Sequence, residues 1–417
     1  MKQKIVVILI LLLTLISCKK EFNFFQQENE NGLPNYGNVD VENVFTAEDS
    51  QLQDKQNVVN AIEQYYDKVW EKGDLSGGFL VAKGDKILFE SYRGFAKENN
   101  QVPINKDVPL HIASISKSLT AMAVLKLVEA RKINLHDKVT HYFPKFPYKE
   151  VEVIHLLNHR SGLPKYEYFI EKLGLKPKNK YFTNQEVLDL LIQHKPDLAR
   201  NTNTGFMYCN TNYALLALIV EKVTAHPFPL AMQKIVFKPL GMEHTYIFQQ
   251  KDSLRAAQSF YYQGNRLYPK DKLDGIYGDK NCYTTPRDLF KFSKAMYAEN
   301  FLRKSLKDSI FTPYSNERPG VNNYGIGFRM KVFDNGEKLT FHNGWWHGSN
   351  TAFVHLQKSK VTIIALGNKF SRRVYSALTL SSLFEDFPLE REKLDKLMNK
   401  EIDTTKENHD AVAESTE

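Results

Sequence analysis

Strand-like runs gather at the two ends of this chain, and that placement constrains the fold more than any other feature. Near the start, Phe79-Leu80-Val81-Ala82 and Ile87-Leu88-Phe89-Glu90 flank Lys83-Gly84-Asp85-Lys86. Two apolar runs joined by a short glycine-containing turn read as a hairpin. Near the end come further runs at 324–332, 338–341, 351–357 and 361–366. The middle is helical by periodicity. Residues 58–72 place Val59, Ile62, Tyr65, Tyr66 and Val69 on one face, and 118–131 carry a buried stripe of Leu119, Met122, Ala123, Leu125, Leu127 and Val128. The segments 184–194 and 212–223 continue the pattern. Thr285-Pro286 opens another helix with a capping hydroxyl and a proline at the first position. Together these imply an α/β (α+β) domain: an antiparallel sheet formed by both ends of the domain, with flanking helices and an inserted, mostly helical lobe.

The flanks differ from the body. Lys2 and Lys4 precede an apolar run from Ile5 to Ile16 that ends in Leu15-Ile16-Ser17-Cys18. The run has the length of a signal core and is short for a membrane span. Its end resembles the lipobox of bacterial lipoproteins. That resemblance implies cleavage after residue 17, lipidation of Cys18, and a protein held by its acyl chains to a membrane face. Lys19 and Lys20 follow, with no aspartate after the cysteine, so the outer membrane is the expected address, facing the periplasm or the cell surface. Residues 18–56 are polar and read as a flexible tether, 57–388 as the folded domain, and 389–417 as a charged tail with a short exposed helix near 390–400. The net charge of +8 comes from scattered residues with no basic block, which argues against nucleic acid as a partner. Three cysteines make no disulfide framework, and Cys209 and Cys282 can be paired or free.

Three short motifs carry the chemistry. His111-Ile-Ala-Ser114-Ile-Ser-Lys117-Ser118 puts a serine three residues before a lysine at the head of a helix, so both side chains share a face. A serine hydroxyl needs an adjacent base to act as a nucleophile, and a lysine can play that part where its surroundings disfavour the charged form. Alone, the pattern is better read as a capping serine and a solvated lysine. Tyr208-Cys209-Asn210 precedes the helix at 212–223, and His342-Asn343-Gly344 follows the strand at 338–341. A tyrosine in such a place is commonly a packed aromatic, and a histidine there an ordinary strand-end residue. His155 and His159 are four apart on a short helix with no acidic or cysteine partner near, which favours a structural role over a metal site.

In this order, Ser114-x-x-Lys117, Tyr208-x-Asn210 and His342-Asn343-Gly344 resemble the signature of serine β-lactamases and penicillin-recognising enzymes. The Tyr-x-Asn form resembles the branch holding class C β-lactamases, DD-peptidases and esterases. The runs 112–120, 155–164, 208–213, 324–328 and 342–348 are similar to that branch as well, over residues 57–388. The resemblance implies a β-lactamase/transpeptidase-like fold and no metal or other cofactor. It implies that Ser114 is acylated, that Lys117 and Tyr208 share the general base and acid work, and that Asn210 orients Lys117 and binds a substrate amide. The oxyanion would be held by the N–H groups of Ser114 and Trp345, and Gly344 would let substrate approach the strand edge.

One departure bears on the substrate. His342 stands where the β-lactamases and DD-peptidases carry lysine, and Asn343 where they carry a hydroxyl residue. A neutral histidine attracts a carboxylate less than an ammonium does. The expected function is therefore a serine hydrolase acting on ester, amide or D-peptide substrates at the bacterial cell envelope. A penicillin-binding or sensor-type protein that acylates without turnover, or a β-lactamase, is the alternative. Trp345 and Trp346 would form an apolar rim or belong to the core. Cys209 is not needed as a nucleophile, since the serine set is complete without it.

Overall fold

The computed structural model describes residues 36–98 and 102–402. The expected signal segment and Cys18 lie outside the described residues, as do 403–417. The ten strands among the described residues are β1 (Gly77–Lys83), β2 (Lys86–Arg93), β3 (Leu110–His111), β4 (Tyr246–Ile247), β5 (Cys282–Thr284), β6 (Asn322–Tyr324), β7 (Arg329–Val332), β8 (Lys338–Trp346), β9 (Ser349–Leu356) and β10 (Val361–Gly367). Seven of them form one sheet in the order β2-β1-β10-β9-β8-β7-β6, with every neighbour antiparallel. The pairing of β1 with β10, from Gly77 opposite Gly367 to Lys83 opposite Val361, joins the two ends of the domain. The expected sheet is thus the one observed. A second sheet of β3, β5 and β4 braces the lobe that interrupts it.

Both faces of the large sheet are covered. Phe79, Val81, Ala352, Val354, Ile363 and Ala365 pack into one cluster with α1 (Lys55–Tyr66) and the turns of 3-10 helix at Arg372–Leu383. The alternate residues Leu80, Ala82, Phe353, Ile364 and Leu366 pack into the larger cluster of the helical lobe. Burial on both faces explains why β1, β9 and β10 read as continuous apolar runs and not as alternating ones. The lobe is built around α2 (Ser116–Glu129), α3 (Val153–Leu157), α4 (Asn184–His194) and α5 (Asn210–Thr224). The helix α6 (Pro286–Ala295) starts where Thr285 accepts the Asp288 N–H and Pro286 fills the first position, as its sequence predicts.

Four local expectations are revised. The run 324–332 is two strands, because Gly325 to Phe328 turns back on itself, with the Gly325 N–H donating to the Phe328 carbonyl. The helix α2 has no solvated face: Ser116, Ser118 and Thr120 are buried too. Ser118 and Thr120 donate to the carbonyls of Gly327 (2.5 Å) and Gly278 (2.8 Å), while Ser116 accepts from the Cys282 N–H (3.1 Å). The part of the tether that is described is docked. The Val39 N–H donates to the Pro239 carbonyl at 2.8 Å, Val39 and Val41 enter the core, and Asp49 pairs with Lys360. The helix after 388, α7 (Pro388–Asn399), is likewise not an exposed appendage, since Leu394 and Glu390 are buried and Glu390 pairs with Lys331. Two valines and one leucine, set among charges, were too few to register as a pattern.

Candidate functional site

Ser114 sits in one turn of 3-10 helix, Ala113–Ile115, that runs straight into α2. Ala113 before it has φ +46, a left-handed conformation that a residue with a Cβ adopts at a cost. The strain is held by packing from both sides. The Ile112 N–H donates to the Cys282 carbonyl at 3.0 Å, and the Ile112 carbonyl accepts from the Thr351 hydroxyl at 2.9 Å. A Cβ on Gly344 would collide with that same carbonyl and hydroxyl. Gly344 therefore lets the serine turn lie against β8. This is a reason for the glycine beyond the expected room for substrate.

Lys117 is fully buried, one helical turn on from Ser114. Its Nζ lies 2.9 Å from Ser114 Oγ and donates to the Asp279 carbonyl at 2.8 Å. Ser114 itself is only half-buried, so the pair has a closed side and an open one. Tyr208 completes the group, with its ring centroid 5.0 Å from Lys117 Nζ and 4.7 Å from the Arg329 guanidinium. Behind the ring lies His159, with ring centroids 4.4 Å apart. His159 has φ +57 and falls past the end of α3, so it shares no face with His155. Its Nδ1 accepts the Cys209 N–H at 3.2 Å and meets the Asn212 side-chain nitrogen at 3.1 Å. Burial, then the nearby charges of Lys117 and Arg329, hold His159 well below the ordinary histidine range. His155 accepts the Glu152 N–H at 3.1 Å within its own helix. Both histidines are structural.

Asn210, the first residue of α5, does not reach Lys117. Its side-chain N–H donates to Glu167 Oε1, and its Oδ1 is enclosed without a partner. Glu167 is a residue the sequence reading missed. Its Oε2 is also enclosed and unpartnered, and burial pushes its carboxyl above the usual range, aided by the charge of Asp279. No motif marks Glu167, and Asp279 meets Lys117 through its backbone carbonyl, a contact that leaves no side-chain signal to read.

The third motif lies inside β8, not after it. β7 pairs with β8 only from Val332 opposite Lys338 to Arg329 opposite Phe341. From His342 to Trp346 the side of β8 away from β9 has no strand partner among the described residues, which leaves an edge beside the serine turn. His342 is buried, with Nδ1 2.7 Å from the Asn343 carbonyl and Nε2 3.2 Å from the Tyr324 hydroxyl. Those contacts fit a neutral ring that donates from Nδ1 and accepts at Nε2. Burial, followed by the charges of Arg329 and Lys117, keeps it well below the usual histidine range. Its two nitrogens face protein, so it offers nothing to a substrate. The rim expected at the tryptophans is partly structural. Trp346 donates to Asp274 at 2.7 Å and lies under the Lys280 ammonium at 4.5 Å, while the Trp345 indole donates to the His347 carbonyl at 3.1 Å. Cys209 and Cys282 are buried free thiols. Burial pushes the Cys209 thiol up to about 12, which removes it as a nucleophile at neutral pH.

Comparison with known proteins agrees with this arrangement. The family model described as Beta-lactamase matches residues 62–380. A penicillin-binding protein of Bacillus subtilis (strain 168) is 29% identical over 344 residues, spanning 79% of this chain and 76% of that protein. The crystal structure of a penicillin-binding protein from Bacillus halodurans has a TM-score of 0.67 at 24% identity, covering 80% of this chain and 100% of that one. A D-amino acid amidase from Ochrobactrum anthropi SV3 has a TM-score of 0.62 at 22% identity, covering 78% and 99%. With the sheet order, the buried serine–lysine contact and a family match over most of its length all in agreement, this chain belongs to the beta-lactamase family.

Proposed function

We propose that the protein is a serine hydrolase that forms an acyl-enzyme on Ser114 and cleaves an ester, amide or D-peptide bond. The observation that carries this reading is the enclosed Lys117 Nζ, 2.9 Å from Ser114 Oγ and anchored on the Asp279 carbonyl. Lys117 takes the Ser114 proton as Oγ bonds to the substrate carbonyl carbon. The oxyanion so formed accepts hydrogen bonds from the N–H groups of Ser114 and Trp345. Tyr208 passes a proton to the leaving nitrogen or oxygen as its bond to the acyl carbon breaks, and Lys117 replenishes it. A water that gives its proton to the same pair then attacks the acyl carbon. Ser114 leaves with the returned proton and the acid is released. Asn210 Oδ1, an enclosed acceptor lacking a donor, suits a substrate N–H on the acyl side. The fold shared with a D-amino acid amidase favours an amide or D-peptide substrate. In this reading a lipid on Cys18 tethers the enzyme at the cell envelope, where such substrates occur.

The test is p-nitrophenol release from a short acyl ester, run beside a chromogenic cephalosporin. Ester turnover is expected, and Ser114→Ala and Lys117→Ala should each lower it by about a thousandfold. An unchanged rate in Ser114→Ala would refute the mechanism. Similarity to a penicillin-binding protein supports a second reading, in which the acyl group stays on. Covalent labelling by the cephalosporin without ester turnover would favour it, and rapid cephalosporin hydrolysis would make the protein a β-lactamase.

A further inference from the structure

The two ends of α2 carry different things. The serine turn leads into its N-terminus, whereas the first described residue, Tyr36, reaches its last turn. The Tyr36 ring lies 5.2 Å from the Lys126 ammonium, which pairs with Glu129 at 3.5 Å. The Asn38 carbonyl accepts from Asn300 at 3.4 Å. The 14 residues of α2, at 1.5 Å per residue, set its two ends about 21 Å apart. The segment that follows Cys18 therefore joins the domain at the end remote from Ser114. Past that end opens a groove whose lining includes Val128, Arg131, Lys132, Ile133, Arg303 and Leu306. It adjoins the tether contact, because the Arg303 N–H donates to Glu129. Arg131, Lys132 and Arg303 are exposed. Asp137, the carboxylate on the lining, already accepts from the Asn134 N–H and the Tyr142 hydroxyl. Arg131 and Lys132 complement the C-terminal end of the α2 dipole, which is reason enough for them locally. Arg303 and Lys304 have no such reason. They open the short helix Lys304–Ile310, and a helix N-terminus disfavours cations. Lys304 offsets this in part by pairing with Asp308 at 2.7 Å. Cations from two separate segments, one of them against its own helix dipole, thus meet where the tether enters.

We infer that this end of the molecule, centred on Arg131, Lys132 and Arg303, rests on an anionic lipid surface, with Ser114 at the far end of α2 from the headgroups. The placement rests on the lipid at Cys18 proposed above, although the charge of the face does not. Cys18 stands eighteen residues before Tyr36, a reach of at most about 60 Å when extended. Such a reach permits the domain to touch the membrane without forcing it to. The cations supply the attraction, since basic side chains near an anionic bilayer are drawn to it over about a Debye length. The protein then meets its substrate on the side away from its own bilayer. That favours peptides in the surrounding envelope over molecules embedded in the membrane that holds it.

The full chain, isolated from membranes, is placed on vesicles of phosphatidylcholine alone or with about a third phosphatidylglycerol. A membrane-impermeant amine reagent then labels exposed lysines, read by peptide mass spectrometry. Lys132 and Lys304 should react about threefold more slowly on the anionic vesicles, and the protection should vanish in about 0.5 M salt. Lys270 is exposed on a cavity lined also by His111, near the head of α2, and should react equally on both. Arg131→Gln with Arg303→Gln should remove most of the protection at Lys304. Should that double variant fail to fold, the salt dependence of the parent chain decides. Equal labelling of Lys132 and Lys304 on the two vesicles, protection that persists in high salt, or protection at Lys270 instead would overturn the assignment. Flotation separates the two readings. A chain that does not float with neutral vesicles removes the lipid at Cys18, while salt-sensitive flotation with anionic vesicles alone keeps the docking face.

Discussion

Glu167 shows how one buried side chain couples stability to pH. Its carboxyl is enclosed, one oxygen has no partner, and its folded-state pKa lies above its ordinary value, first through burial and then through Asp279. The unfolded chain therefore gives up this proton more readily than the folded one. Above the unfolded pKa that difference favours unfolding, and the cost grows until pH reaches the folded value. Glu167→Gln keeps an acceptor for the Asn210 N–H and removes the ionisation. Its melting temperature should exceed that of the parent, by more at pH 8 than at pH 4.5. Equal shifts at the two pH values would contradict the burial argument. Ser114 and Lys117 differ from Glu167 in being legible. Their spacing alone puts them on one helical face, and the 2.9 Å contact follows from it. Asn210 was only partly legible, because its hydrogen-bond partner comes from another segment with no motif of its own.

At the scale of elements, the turn between β6 and β7 sets where α2 can lie. Gly327 has φ +73, and a Cβ there would approach the Ala121 Cβ to 2.7 Å and the Ser118 Cα to 3.2 Å. The turn thus presses on the helix one residue past Lys117. Gly336, between β7 and β8, has a similar φ of +81 but nothing within 4 Å of an added Cβ. The two glycines separate backbone strain from close packing. Gly336→Ala should cost about 1 kcal/mol, for the left-handed backbone alone. Gly327→Ala should cost about 3 kcal/mol, since it adds overpacking against α2. Urea midpoints with unchanged m-values would measure both, and equal costs would show that the turn does not brace the helix. The same packing explains why 324–332 is two strands. Its two glycines look like tolerated breaks in a strand until α2 is placed beneath them.

At the scale of the molecule, four of the buried histidines among the described residues share a marked consequence. His111 and His355 are pushed down to about 3 by burial, and His159 and His342 lie well below their usual range. All four stay neutral when folded, while in the unfolded chain they take up protons below about pH 6.5. Their contribution is complete above that pH and is lost as pH falls toward the folded values. Each adds a slope of at most about 1.4 kcal/mol per pH unit. Thermal stability should therefore drop between pH 6.5 and 5, above the range where paired carboxylates titrate. His355→Asn, distant from the serine, should make the drop shallower, and a flat profile from pH 7 to 5 would refute the account. Periodicity along the chain determined the strands at both ends, the helices of the lobe between and the serine–lysine pair, because those depend on residues near one another in sequence. Tertiary structure alone decided that His342 turns inward, that Glu167 meets Asn210, that Gly344 seats the serine turn, and that Arg329 stands beside Tyr208. Each of these depends on which segments meet across the sheet and lobe, and burial, hydrogen bonding and charge at such contacts leave no spacing to read.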